Sequence, residues 1–521
     1  MGYLGIFLIL IGIICLLPLL LLIAYPNESN VLFSFLIPGC SSIIAGIPLI
    51  LLIAKREKGH IGKFQDAILL VLVWVFAILI GSIPFMLRGI SADGAGSMSF
   101  SDAVFESTSG YSASGLTVFD FNESLPGYHI FTTYRSLLLL FGGIGLVLIV
   151  TSTISDRYGL KLYTAEGHND KLMPNLAKSA RLILAIYLGY IVLGTLSYWL
   201  IGGMEIFDSF NHAIAAVATG GFSTKAGGLP EIISNGGVNS ITHLPINSVA
   251  INVTSVVLMI LGATNFVLHL FIFRGKFKQV FKDCEIRFFA TMCIIFIPLF
   301  FVCILRNGID GMSSNPLMAL GDGAFLFFSS ITTTGFSTVS EISAFGSGAI
   351  LLATVMMTIG GGMGSTAGAI KQYRIVVLFK GLYWSIRDKL APKNKIFPHT
   401  TYRLGETRDV DNVTVYDSAG YALLYLVVLV LGSVLILITT NGEYTVGNAF
   451  FEFASALSGT GLTVGVTSGV NTVSGVAVTG TPLIQTRWIL TAGMFAGRLE
   501  IMCIYFAFYR FVRDIFRRET V

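Results

Sequence analysis

Four stretches of this chain carry one phrase: an apolar run, a cluster of small hydroxyl and glycine residues, then glycine, an apolar residue and a hydroxyl. The copies are FESTSGYSASGLT at 105–117, NHAIAAVATGGFS at 211–223, FLFFSSITTTGFS at 325–337 and FFEFASALSGTGLT at 450–463. Aligned on Gly115, Gly221, Gly335 and Gly461, each glycine has Asp102, Asp208, Asp322 or Asn448 thirteen residues before it. Small, uncharged residues of this kind let a backbone turn several carbonyl oxygens onto a dehydrated cation. The residues placed to do so are Ala113, Ser114, Gly115 and Leu116; Thr219, Gly220, Gly221 and Phe222; Thr333, Thr334, Gly335 and Phe336; and Gly459, Thr460, Gly461 and Leu462.

The fixed offset says which elements hold these loops. Asp and Asn are preferred helix N-caps, so each is expected to start a short helix of about three turns that stops at the small-residue cluster. Such a helix is too short to cross a bilayer of roughly 30 Å, so the chain must dip in and return. Each dip is flanked by two apolar segments: 67–87 with 130–153, 182–202 with 248–273, 287–305 with 349–370, and 419–440 with 483–509. Two more, within 3–54, precede the first repeat. The expected fold is an all-α polytopic membrane protein with ten crossings. Four pseudo-repeats of helix, re-entrant loop and helix surround one pore. Its units are 1–62 (two extra N-terminal helices), 63–165, 166–282, 283–398 and 399–521. Each dip helix would aim a C-terminal end carrying about half a negative charge at the centre, where a cation is stabilised.

Composition agrees with lipid as the solvent: 54% of residues are hydrophobic, 12% are charged, and mean hydropathy is +0.79. Nothing alternates with the period of two that a β-barrel needs. The six cysteines are scattered without paired spacing and read as small apolar residues. Most of the 33 Lys and Arg fall in every second connection, at 55–63, 157–181, 274–287, 371–408 and 510–518. The positive-inside rule makes those connections and both termini cytoplasmic. The net charge of +4 then reports topology and contact with anionic membrane lipid, not nucleic acid.

Two further features concern the ion path. Gly360, Gly361, Gly362, Gly364 and Gly368 interrupt the segment after the third loop, and at about 1 kcal/mol each relative to Ala they make continuous helix there untenable. Unwound backbone at membrane depth needs water or protein partners, so this break is expected to cross the pathway beneath the filter as a movable gate, with Lys371 and Arg374 beyond it at the surface. Arg498 lies inside the apolar segment 483–509. It is either a structural partner of Glu500 or of loop carbonyls, or a fixed charge on the ion path. Asp208 and His212 stand one turn apart and could share a metal or a proton, but the matching positions Glu106, Leu326 and Glu452 form no symmetric ring, and no catalytic role is expected. The spans offer too few convergent titratable groups for an enzyme. A carrier of organic solutes would show two repeats, not four.

The four G-[LF]-[ST] loops, the break IGGGMGSTAGAIK at 359–371 and AGRLE at 496–500 resemble the Trk/Ktr/HKT superfamily of potassium transporters. The extra N-terminal helix pair resembles its TrkH branch. The resemblance implies potassium as the transported ion, held at the sixteen loop residues, with no organic cofactor and uptake across the plasma (cell inner) membrane. Transport would be by channel-like conduction or, alternatively, by symport with Na+ or H+. It implies a homodimer docked on a ring of TrkA-type nucleotide-binding regulatory subunits. It also favours the pathway role for Arg498, and potassium over sodium because all four filter positions are glycine. The chain departs from the pattern at Ala113, where such relatives carry a hydroxyl.

Overall fold

Long apolar runs become long helices in the computed structural model, which describes residues 2–54, 65–88, 96–146, 148, 176–307, 315–392, 397–469 and 478–516. Among these, seven helices are long and apolar enough to cross a membrane. Two more spans are bent pairs: Ser248–Ala263 with Phe266–Phe273 at 110°, and Thr481–Arg498 with Ile501–Arg513 at 97°. The tenth expected crossing, 130–153, is described as the helix Tyr128–Ile144, and most of 147–153 lies outside the described residues. So do the basic connections 55–63 and 157–175.

Each repeat has the expected order. A long helix (Gln65–Leu87, Leu176–Leu200, Cys284–Asn307, Asn412–Thr439) is followed by a short one (Phe100–Ser112, Ile206–Val217, Pro316–Ile331, Val446–Ser458), a loop, and a second long helix. We call the short ones pore helices. They form the centre of the molecule: from Ala103 to Ser112 and from Phe451 to Ser458, every residue is buried. Around them, one apolar cluster joins the N-terminal pair to the first two repeats and a second joins the last two. Leu499 at the last bend and Cys503 and Ala507 of the final helix, Ile501–Phe516, belong to the first cluster, which closes the ring of repeats. Outward-facing apolar side chains such as Ile294, 75% exposed, are at home in lipid. Because lipid is as apolar as leucine, helix association rests on close packing. The N-terminal helices show this: a Cβ on Gly12 would sit 2.6 Å from the Gly39 carbonyl oxygen.

Three expectations need correction. The aligned Asp and Asn residues are not N-caps. Ser99 and Thr445 cap the first and fourth pore helices, and accept the N–H groups of Asp102 and Asn448 at 3.2 Å. Ser99 also donates to Asp102 Oδ2 at 2.9 Å, so Asp102 takes the third helical position, where a carboxylate can answer the cap. Asp208 is likewise third, after Glu205. Asp322 lies mid-helix, because Asn315-Pro316 starts the third pore helix earlier. Secondly, the segments 248–273 and 483–509 are not straight, and no glycine run marks their bends. Thirdly, Lys371 and Arg374 are not at the surface. Arg374 Nη2 meets Glu500 Oε2 at 2.7 Å, with side chains only 13% and 17% exposed, and Lys371 lines an internal cavity.

Candidate functional site

Each pore helix ends in the same way. The N–H of the residue before the aligned glycine reaches back five residues: Ser114 to Ser109 O, Gly220 to Ala215 O, Thr334 to Ser329 O and Thr460 to Ser455 O, at 2.9–3.0 Å. This is a Schellman closure, and it puts the residue two before the glycine in the left-handed region. Ala113, Thr219, Thr333 and Gly459 have φ of 55°, 51°, 53° and 69°. The three non-glycine residues each bear roughly 1–2 kcal/mol of strain for it. Gly115, Gly221, Gly335 and Gly461 then take φ of 86°, 64°, 90° and 90°. Left-handed residues at alternate positions turn successive carbonyls toward one side.

That side is shared by all four loops. A Cβ on Gly115 would overlap the Gly220 carbonyl oxygen, one on Gly221 that of Thr334, one on Gly335 that of Thr460, and one on Gly461 that of Ser114. The contacts run from the first loop to the second, third and fourth and back to the first, a closed ring with backbone touching backbone at each junction. The structure thus brings all four expected tetrads together. A second set of close approaches holds the loops from behind: Gly142, Gly262 and Gly497 lie against the carbonyls of Tyr111, Val217 and Leu457, each four residues before its own aligned glycine.

Sequence reasoning missed the braces. Nine residues before the aligned glycines stand Glu106, His212, Leu326 and Glu452, and two residues after them stand Thr117, Ser223, Ser337 and Thr463. Thr117 donates to Glu106 Oε1 at 2.9 Å and Thr463 to Glu452 Oε1 at 2.7 Å. The N–H groups of Val118 and Val464 reach the other carboxylate oxygens at 3.0 Å. In the second repeat His212 Nδ1–H donates to Asp208 O at 2.8 Å, which leaves Nε2 to accept from the Ser223 hydroxyl at 3.0 Å. The Asp208 carboxylate takes the Thr224 hydroxyl instead. Among the described residues, no group of three His, Cys, Asp or Glu could hold a metal. The fixed offset was the available signal; three of the four repeats place a buried acceptor there, glutamate in the first and fourth and histidine in the second.

Two arginines brace the pore helices and their loops across repeats. Arg135 is fully buried: Nε meets Glu106 Oε1 at 2.6 Å, Nη2 the Thr117 hydroxyl at 2.9 Å, and Nη1 the carbonyl of Ser223 in the second loop at 3.0 Å. Its guanidinium lies 4.1 Å from the Phe222 ring centre. Arg487 of the fourth repeat bonds Asp102 of the first at 2.6 Å.

Directly under the loops lies the glycine-rich segment. The helix Gly346–Ile359 stops at Gly360, and the chain stays irregular until Gln372. Its polar groups are answered by protein: Gly362 N–H by Ala263 O at 2.9 Å, Gly364 O by Phe266 N–H at 3.1 Å, and Gln372 N–H by Gly361 O at 2.9 Å. The bend after Ala263 makes the first two bonds possible. Between this segment and the loops remains a cavity of about 20 Å³, lined by Ser112, Ala113, 365–369, Lys371, Ser458, Gly459, Gly497, Arg498 and Glu500. Arg498 ends its helix there. Its Nη2 donates to the carbonyls of Gly142 and Gly143, while Glu500 goes to Arg374. Beneath the segment, the hairpin of Thr400–Arg403 and Glu406–Asp409 docks through Arg403 Nε on Glu285 Oε1 at 3.3 Å and Leu404 N–H on Asp283 Oδ2 at 2.8 Å. Burial pushes the Asp283 carboxyl above its ordinary range despite that N–H. Glu285 reaches the back of the segment, 2.9 Å from where Gly362 would carry a Cβ.

Fold and site together define a multi-pass membrane protein in which four re-entrant loops meet in one backbone ring. The chain belongs to the TrkH family of cation transport proteins, whose family model matches residues 65–513. Its relatives include the Trk system potassium uptake protein TrkH of Escherichia coli K12, 28% identical over 468 residues and covering 87% of each chain. An uncharacterised cation transporter of Methanocaldococcus jannaschii is 28% identical over 502 residues, 96% of this chain and 92% of its own. The crystal structure of the potassium transporter TrkH from Vibrio parahaemolyticus shares the fold, with a TM-score of 0.76 over 96% of each chain at 24% identity. These relatives are transporters, not enzymes.

Proposed function

We propose that this chain takes up potassium across the plasma membrane through the ring of its four loops, which act as the selectivity filter. The observation that carries the proposal is the closed run of glycine-to-carbonyl contacts, an arrangement with no use in mere helix packing and a direct one in coordinating a dehydrated cation. The relatives named for potassium uptake support potassium as that cation. In this reading the segment 360–368 is the gate. Its glycines let it lie flat beneath the filter, and Arg498 adds a fixed positive charge to the closed cavity. Both termini and the basic connections face the cytoplasm, the repeats divide near 63, 166, 283 and 399, and the working unit is a homodimer on a TrkA-type nucleotide-binding ring. Uptake of rubidium by the purified chain in liposomes, with sodium as competitor and empty liposomes as control, tests the proposal. Uptake no faster than the control, or sodium competing as well as potassium, would overturn it.

A further inference from the structure

At the left-handed position two residues before each aligned glycine, two of the four loops bring a side-chain oxygen, and both oxygens are already engaged. Two residues before the aligned glycines stand Ala113, Thr219, Thr333 and Gly459, so the second and third loops alone bring a hydroxyl there. Thr219 Oγ1 lies 3.0 Å from Thr366 Oγ1, and Thr333 Oγ1 accepts the Gly368 N–H at 3.0 Å. Both partners belong to the glycine-rich segment. Thr219 gives its own hydrogen to the Ala218 carbonyl at 2.8 Å, so Thr366 is the donor to Thr219, with the Gly262 carbonyl at 3.0 Å as its alternative acceptor. Gly368 presses so closely on the fourth loop that a Cβ would overlap the Ser458 carbonyl. The segment is therefore bonded to two filter loops and in backbone contact with a third.

A hydroxyl oxygen has two lone pairs and one hydrogen. An N–H donating to Thr333 Oγ1 occupies one of the lone pairs that a dehydrated cation at the filter base would draw on. The cavity of about 20 Å³ left between segment and filter holds little more than one water molecule, so segment and cation exclude one another in space as well. We propose that the segment 365–369 and the innermost permeant cation compete for the hydroxyls of Thr219 and Thr333, so that the transported ion is itself a ligand that releases the gate. The inference rests on the proposed ion pathway and adds a regulator to it. An ion that binds only the withdrawn state shifts the population toward that state. By reciprocity, loosening the segment tightens the ion's apparent binding.

The unaltered full chain provides the first test. Hydrogen–deuterium exchange is followed in the peptide containing Gly368, in potassium chloride and in choline chloride of equal ionic strength. Exchange should be about fivefold or more faster in potassium, the low end of coupling between linked sites. The second test is Thr366→Val, which frees Thr219 while keeping side-chain shape. Rubidium flux should then half-saturate at a concentration about fivefold lower. Equal or slower exchange in potassium, in protein that still takes up rubidium, overturns the competition and leaves the uptake reading standing. Absence of rubidium uptake by the unaltered chain removes that reading and the inference with it. If Thr366→Val does not fold, the exchange comparison decides alone.

Discussion

Gly115→Ala tests the ring directly, because it adds one methyl group and no polar atom. At φ of 86° an L side chain bears roughly 1–2 kcal/mol of backbone strain. Its Cβ also overlaps the Gly220 carbonyl oxygen, which is backbone and can yield only by moving the second loop. If about 1.4–2.8 kcal/mol of this falls on the potassium-bound filter, the preference for rubidium over sodium drops by about ten- to a hundredfold. The assay is sodium competition against rubidium uptake in liposomes. Gly115→Ser should behave like the alanine variant, since the shared Cβ does the damage. Ala113→Gly is the control. Its φ of 55° is one glycine adopts freely, and the strain relieved roughly balances glycine's extra unfolded-state entropy. A Gly115→Ala protein with unaltered preference beside a Gly115→Ser protein that has lost it would show that hydroxyl chemistry matters and backbone contact does not, and the ring argument would fall.

Arg135→Met leaves Glu106 buried without its partner and should destabilise the protein by about 3–5 kcal/mol. Adding Glu106→Gln should recover part of this, which thermal unfolding in detergent reads; equal loss in single and double variants would deny the pairing. Arg498→Ala removes a positive charge from the cavity under the filter and should raise basal rubidium flux. A folded variant that conducts less would make the Gly142 and Gly143 carbonyls the whole reason for the arginine. Gly368→Ala drives a Cβ into the Ser458 carbonyl and should lift the segment off the filter. Faster rubidium efflux is expected, and slower efflux would mean that the clash pushes the fourth loop instead.

The repeat architecture was legible because the chain states it four times at a constant offset, and the break after Ile359 because five glycines make helix untenable there. The other breaks were not legible. At Thr264-Asn265 the turn is secured by Asn265, whose side chain accepts Val267 N–H at 2.8 Å, and at Glu500 by a left-handed φ of 53°; neither residue is rare inside helices. The acids at the starts of the pore helices were recognised as position markers but given the wrong position, since Ser99 and Asp102 are both good caps and only geometry shows which one precedes the helix. The braces stayed hidden for a different reason. Glutamate recurs only at 106 and 452, the second repeat has His212 and the third Leu326, which has no polar atom, so a search for one residue type in all four repeats passes over a hydrogen-bond role that three of them share.

The unevenness of those braces says something about why the ring is one chain. Among the described residues, arginines tie the first loop to the second and the fourth repeat to the first pore helix; the third repeat meets the fourth below the loops, through Arg374 with Glu500 and Glu285 with Arg403, and has leucine where its siblings have an acid or a histidine. It is also the repeat that supplies the glycine-rich segment. Four identical subunits could not divide labour in this way, because any stiffening or loosening would be copied around the axis. Once duplication has fused the quadrants into a single polypeptide, each can drift alone. Rigidity can then be concentrated in the braced loops and compliance in the glycine-rich segment, without either demand compromising the other.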